Sequence, residues 1–115
     1  MKHDRMSVLT QMIDQGVIPV FYHPDVELCK NVIQACANGG AKAIEFTNRG
    51  DFAPHVFLEV ARHFAAADPS VIMGVGSVVD APTAGIYIAN GAKFVVGPLL
   101  NPDVAKVCNR RKIPY

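Results

Sequence analysis

Apolar residues recur along this chain at two spacings, and the switching between them is the main structural signal. Met6, Leu9, Met12 and Ile13 follow helical spacing and predict a helix from Asp4 to Gln15, with Gly16 placed to end it. Val17 to Tyr22 is a short apolar run rich in β-branched and aromatic residues, which predicts a first strand. Pro19 is awkward inside it, because proline cannot donate to a ladder. Pro24 suits a first helical position, and Val26, Cys29, Val32, Ile33 and Cys36 form an amphipathic stripe closed by Asn38-Gly39-Gly40. Lys42 to Thr47 predicts a second strand. Asp51 or Phe52 to Ala67 predicts a helix with Pro54 in its first turn, and Ser70 to Val75 a third strand. Asp80 caps a further helix, with Pro82 in its first turn, that runs to Asn90-Gly91. Lys93 to Val96 is a fourth strand, and Asn101-Pro102-Asp103 starts a helix reaching about Arg111. Ile113-Pro114-Tyr115 then opens a fifth strand.

The order is a helix, then a βα unit four times at a period of about 25 residues, which means parallel strands with right-handed crossovers. Ala37-Asn38-Gly39-Gly40-Ala41-Lys42 and Ala89-Asn90-Gly91-Ala92-Lys93 form a faint repeat two units apart. Quarter-barrel spacing suits a (β/α)8 barrel better than a doubly wound sheet, although any helix end before a strand favours Asn-Gly. The expected fold is α/β: about four βα units, the N-terminal half of a (β/α)8 TIM barrel, with a preceding helix.

Composition narrows the class. Half of the 115 residues are apolar, 18% are charged and the net charge is +1, so nothing points to nucleic acid or to an anionic membrane surface. No apolar run nears the roughly 18 residues of a bilayer crossing, and no signal peptide is expected. Cys29, Cys36 and Cys108 make an odd count without CxxC, which argues against a disulfide framework or zinc site and fits a reducing cytoplasm. Cys29 and Cys36 are expected to be small buried apolar residues. His3, His23, His55 and His63 show no metal-ligand spacing, and His55 and His63 are expected on the solvated flank of their helix.

In parallel α/β folds the chemistry sits at the C-terminal ends of the strands. Alternation along the second strand turns Ile44 and Phe46 toward helices, and Ala43, Glu45 and Thr47 toward a barrel interior. An inward carboxylate in a dry pocket gains a raised pKa useful to a general acid or base. Arg49 could clamp a substrate carboxylate or phosphate, or instead pair with Glu45 to hold the loop. Gly74-Val75-Gly76-Ser77-Val78-Val79-Asp80 lets a ligand approach the backbone, with Ser77 as a donor to an oxyanion; the alternative is a tight turn capped by Asp80. Gly97-Pro98-Leu99-Leu100-Asn101 is a rigid turn that could wall a pocket.

The segments VIPVF, IEFTNR, GVGSVVD and FVVGP occur in this order at barrel spacing. Together they resemble the 2-keto-3-deoxy-6-phosphogluconate aldolase and 4-hydroxy-2-oxoglutarate aldolase family, over nearly the whole chain from about Gly16. The resemblance implies a (β/α)8 barrel, typically a homotrimer, that cleaves a 2-keto-3-deoxy sugar acid 6-phosphate to pyruvate and glyceraldehyde 3-phosphate. It implies a Schiff-base lysine, no metal and no cofactor. It makes Glu45 the general acid/base acting through water and Arg49 the ligand of the pyruvyl carboxylate. Ser77 falls where the family has threonine, which also contacts that carboxylate. Thr47 joins the substrate-binding set, and Pro98 matches the proline of a Ser-Pro-Gly turn. Gly97 and Leu99 depart from that turn, and Phe46 and Asn48 replace commoner aliphatics.

The family's lysine lies on the sixth strand, beyond Tyr115, and no other lysine qualifies. A Schiff-base amine must sit desolvated at the pocket. Lys42 and Lys93 are expected at the wrong ends of strands, Lys30 and Lys106 on helices, and Lys2 and Lys112 at chain ends. Residues 1–115 are therefore expected to be a partial aldolase domain, a piece of a longer enzyme rather than a natural half-barrel, and inactive alone. The other readings are a non-catalytic half-barrel or flavodoxin-like module, binding a small carboxylate or a partner chain, and half of another phosphate-sugar barrel.

Overall fold

The computed structural model describes residues 3–115. Helix α1 (Arg5–Gln15) begins in a capping box, in which the Asp4 carboxylate accepts from Ser7 N and the Ser7 hydroxyl accepts from Asp4 N. It ends where Gly16 takes a left-handed conformation, φ 76°. Strand β1 is only Val20–Phe21, shorter than the apolar run. Pro19 explains the loss: it has no N–H to give, and contributes only its carbonyl, which accepts from Glu45 N at 2.9 Å. Helix α2 (Val26–Asn38) starts one residue after the cap Asp25, whose carboxylate accepts from Leu28 N at 2.8 Å. Pro24 therefore lies outside the helix, because the side-chain cap sets the start.

The remaining elements are β2 (Ala43–Thr47), α3 (Ala53–Ala67), β3 (Ile72–Gly76), α4 (Ala81–Ala89) and α5 (Pro102–Arg110). Asp80 and Asn101 cap α4 and α5 as expected. The fourth strand is reduced to one bridge, Val75 to Val95. Around it Lys93 N reaches Met73 O at 2.8 Å and Val96 N reaches Val75 O at 2.8 Å. Val95 N also donates to Pro114 O at 3.0 Å, which starts a fifth strand position. Pro114 has no N–H to return, so this side of the ladder stays thin.

The sheet is parallel and its order follows the chain, β1-β2-β3 and then Val95. A flavodoxin-like sheet places its first strand between the second and third. Here β2 lies between β1 and β3, so the sheet winds one way, as a barrel wall does, and the flavodoxin-like alternative falls.

Register separates two cores. Ile44, Phe46, Met73 and Val75 pack with Ile33, Phe57, Phe64, Tyr87, Val104 and other residues of α2 to α5. Ala43, Ile72 and Phe94 face the opposite way and pack under Val8, Met12 and Ile18. Helix α1 thus covers the inner face at the N-terminal end of the strands, and Arg5 ties it to the C-terminal end of α5 and the segment after it by donating to Asn109 and to Ile113 O. The apolar stripe read in α1 does not supply this contact. Only Met12 of that stripe packs inward, while Met6 and Ile13 are 69% and 79% exposed. Cys29 and Cys108 are buried as small apolar residues, whereas Cys36 is half-buried at the core's edge. On α3, His55 is exposed, but His63 is half-buried edge-on to Phe64.

Candidate active site at the strand ends

Glu45 stands between Val20 and Gly74 in the register, on the inner face, with Ile44 and Phe46 under the helices. Its carboxyl reaches along the sheet and lies over Gly76. A Cβ on Gly76 would stand 2.6 Å from Glu45 Cδ, so only glycine leaves room for the carboxylate. Gly74 does the same for the Phe94 ring. Burial against this floor raises the Glu45 pKa above the ordinary carboxylate range. No cation offsets it: the ion pairs among the described residues are Lys30–Glu27, Lys42–Asp68 and Lys106–Asp103. The alternative of a Glu45–Arg49 pair is thus not what holds the loop.

Thr47 is two positions beyond Glu45 on the same face, opposite Gly76 and buried. Ser77 follows Gly76 directly, exposed and left-handed at φ 59°, a conformation uncommon outside glycine and often held at working sites. Arg49 is exposed just past β2. Pro98 is exposed in the loop after Val95, and the Tyr115 hydroxyl fixes that loop by donating to Leu99 O at 3.1 Å and accepting from Asn101 N at 3.0 Å. The Asn101 side chain then donates to Val79 O, joining this loop to the one that carries Ser77. Glu45, Thr47 and Ser77 are brought together by pairing of β2 and β3. Arg49 and Pro98 lie on the same rim, without a hydrogen bond to Glu45 among the described residues.

Two contributions are not visible in the chain order. Tyr87 of α4 is fully buried and donates to Asn48 Oδ1 at 2.7 Å, while Asn48 N donates to Gly76 O at 2.9 Å. This ties the ends of β2 and β3 to a helix, and burial pushes the Tyr87 pKa up to about 12. In sequence Tyr87 reads as one more core aromatic. Gly76 had a signal, a glycine at an inward position beside an inward glutamate, but its service as a seat for the carboxyl needed the register.

Glu45 lines neither of the two best-formed cavities. Cavities of about 310 and 260 Å3 lie elsewhere, the second at the open edge among Val95, Val96, Gly97, Leu99, Leu100 and Tyr115. The rim holds no described lysine. Lys42 and Lys93 are at the N-terminal ends of their strands, Lys30 and Lys106 pair with acids on their own helices, and Lys112 follows α5. Lys2 is outside the described residues.

A parallel sheet that winds one way under a layer of helices defines the class: an α/β fold with the architecture of half a TIM-barrel wall. The profile of the KDPG and KHG aldolase family matches residues 8–115, and the chain belongs to that family. It is similar to the 2-dehydro-3-deoxy-phosphogluconate aldolase of Pseudoalteromonas atlantica, 30% identical over 100 residues, which are 86% of this chain and 45% of that one. The KHG/KDPG aldolase of Escherichia coli is 25% identical over 114 residues, 99% of this chain and 52% of that one. The KDPG aldolase of Legionella pneumophila, solved with pyruvate captured as a covalent carbinolamine, superposes with a TM-score of 0.80 at 23% identity, over 99% of this chain and 52% of that one. At that identity the likeness speaks for the fold. The chain spans about half the length of the curated relatives it matches.

Proposed function

We propose that this chain is the acid/base and carboxylate-binding half of a class I aldolase that cleaves a 2-keto-3-deoxy sugar acid phosphate to pyruvate and glyceraldehyde 3-phosphate. The observation that carries this reading is the Glu45 carboxyl, desolvated on the inner face above Gly76 and in no ion pair among the described residues. The family to which the chain belongs supplies the reaction class.

The amine of a lysine outside this chain condenses with the C2 ketone and expels water. The C3–C4 bond then breaks, its electrons moving into the iminium to leave an enamine. The C4 hydroxyl loses its proton, and glyceraldehyde 3-phosphate departs. Glu45, as carboxylate, takes that proton through water and returns it to C3 of the enamine. Hydrolysis of the resulting iminium releases pyruvate and restores the amine. A raised pKa strengthens Glu45 as the base in this exchange. Arg49 and Ser77 hold the pyruvyl carboxylate, with Thr47 and Pro98 shaping its surroundings. The reaction uses no metal or cofactor, and the enzyme works in the cytoplasm as a homo-oligomer, a trimer by family resemblance.

The test joins this chain, in one polypeptide, to the remaining half-barrel of a family aldolase and measures pyruvate release from 2-keto-3-deoxy-6-phosphogluconate. Glu45→Gln should lower kcat by ~10²–10⁴-fold, and Arg49→Ala should chiefly raise KM. A Glu45→Gln loss under about tenfold, in a folded enzyme, makes Glu45 structural and ends this reading. Borohydride reduction with pyruvate should leave the 115-residue chain alone without added mass. A stoichiometric adduct on any of its own lysines would show that the lysine is not supplied from elsewhere.

A further inference from the structure

The larger cavity, about 310 Å3, lies at the end of the molecule opposite Glu45, between the C-terminal parts of α3 and α4. Its origin is a mismatch of length. Helix α3 has 15 residues and α4 has 9, so the last turns of α3 have no facing helix. Phe64, Val71 and Met73 are among its apolar walls, and Arg62, Lys93 and Asn90 give it polar groups. No carboxylate lines it.

The two cations have no other evident employment. Neither Arg62 nor Lys93 is in an ion pair among the described residues. The internal repeat sharpens the point. Lys42 ends the first copy and is held by Asp68 at 3.3 Å; Lys93 ends the second and faces the cavity instead. The chain itself caps part of both helix ends. Asn90 N, Gly91 N and Ala92 N already bond Ile86 O, Ile88 O and Tyr87 O at 2.9 to 3.1 Å, and Asp68 N bonds Phe64 O. Asp68 itself is occupied by Ser70 and Lys42. At the cavity wall His3 is fixed by a 2.7 Å hydrogen bond between its Nε2 and Pro69 O.

We propose that this cavity binds a small organic monocarboxylate with a ring-sized apolar body, its charge met by Arg62 and Lys93 and its body against Leu58, Ala61, Ala65 and Ala89, over a floor of buried Phe64, Val71 and Met73. Apolar walls with a few convergent polar groups are the usual make-up of a ligand pocket, and the volume falls at the small end of that range. A carboxylate between two otherwise unpaired cations makes charge-assisted hydrogen bonds, whereas an uncharged ligand of the same shape leaves both cations as they were. The proposal is independent of the reading of Glu45.

The probe is 2-naphthoate, titrated into the ¹⁵N-labelled chain and followed by amide shifts and calorimetry, with naphthalene-2-methanol as its uncharged counterpart. Saturable binding is expected, with Kd roughly 0.1–1 mM. Shifts should centre on Ala61, Met73, Asn90 and Lys93. The alcohol should bind at least about fivefold more weakly, and Arg62→Gln with Lys93→Met should weaken the acid about tenfold. Ala61→Phe, which fills the cavity, should abolish binding of both. The proposal is overturned by absence of saturable binding, by equal affinity for acid and alcohol, by shifts centred on Glu45, or by an unchanged affinity in the double variant. The comparison of acid with alcohol is made on the unaltered chain and does not depend on any variant folding.

Discussion

The two faces of the sheet differ in how far this chain completes them. On the helix side, Phe21, Phe46, Phe57 and Tyr87 form a run of ring contacts with centroids 5.2 to 5.9 Å apart, closed over by α2 to α5. On the inner side α1 closes the lower part over Ala43, Ile72 and Phe94. Above that, Glu45, Thr47, Gly74 and Gly76 are all that β2 and β3 present. Residues adjacent in sequence therefore serve different ends. Even positions of β2 supply apolar burial under the helices, while on the odd side, beyond Ala43, Glu45 presents a carboxyl that is seated over Gly76 of β3. A sheet that spends one parity on stability can leave the other short of apolar bulk, and it is at such places that strained or desolvated groups persist.

The unfinished side reaches beyond the sheet. Met6, Leu9 and Ile13 form an exposed apolar stripe on α1, continued by Val17 and by Val20 on the free edge of β1. At the opposite edge Leu99 and Leu100 are 82% and 79% exposed. Free strand edges and apolar stripes of this extent are rarely left to solvent by a monomer. The chain made alone should therefore be dimeric or larger at micromolar concentration by sedimentation equilibrium. A cooperative, well-folded monomer would mean that both faces are complete as they stand, and the contrast between them would dissolve.

Point changes on the two faces should separate next. Phe46→Ala removes a ring that touches three other aromatics, Phe21, Tyr22 and Phe57, and should cost about 3–5 kcal/mol in urea unfolding, a large fraction of the stability of an ordinary domain. Gly76→Ala should cost less, about 1–3 kcal/mol, because a side chain rather than the backbone has to move. In a Glu45→Ala background the same change should be neutral or stabilising, since the carboxyl is gone and alanine suits a strand better than glycine. An unchanged cost there would place the clash elsewhere.

How much of this was legible in the sequence follows the same division. Caps and periodicity located α1 and α3 to α5 within a few residues, because Asp4, Pro54, Asp80 and Asn101 act locally. Alternation put Glu45 on the inner face, because period two is a property of the strand alone. The strands at the edges were overread, since the length of β1 and of the fourth strand depends on what a neighbour offers, and Pro19 and Pro114 offer no donor. The spacing in α1 located the helix but not its buried face. Met6, Leu9 and Ile13 have the spacing of a buried stripe, but spacing cannot say that Val8 and Met12 are the residues turned to the sheet. The Tyr87–Asn48 bond joins residues 39 apart, and no local pattern encodes it.

The smallest expected effect concerns the protonation of Glu45 itself. Its pKa is raised in the fold by burial, from an ordinary value of 4.5. The folded chain therefore holds this proton to higher pH than the unfolded chain does. Stability falls as pH rises from about the unfolded value through the folded one, and the loss persists at neutral pH. Asp68 and Asp80 have lowered pKa values, from hydrogen bonds to Ser70 and Thr83, and act with the opposite sign: their stability is present above 3.8 and is lost as pH falls below it. Both terms are common to the wild type and to Glu45→Gln and cancel in the difference. Glutamine keeps the shape and carries no charge, so the variant should melt at the wild-type temperature near pH 4. By pH 7 it should melt higher, by about 2 °C, an increment kept small by solvent screening on the open face. Melting curves from pH 4 to 8 give the difference directly. A gap that stays constant with pH would mean that packing over Gly76, and not desolvation of the charge, is what sets Glu45 apart from the apolar residues on either side of it.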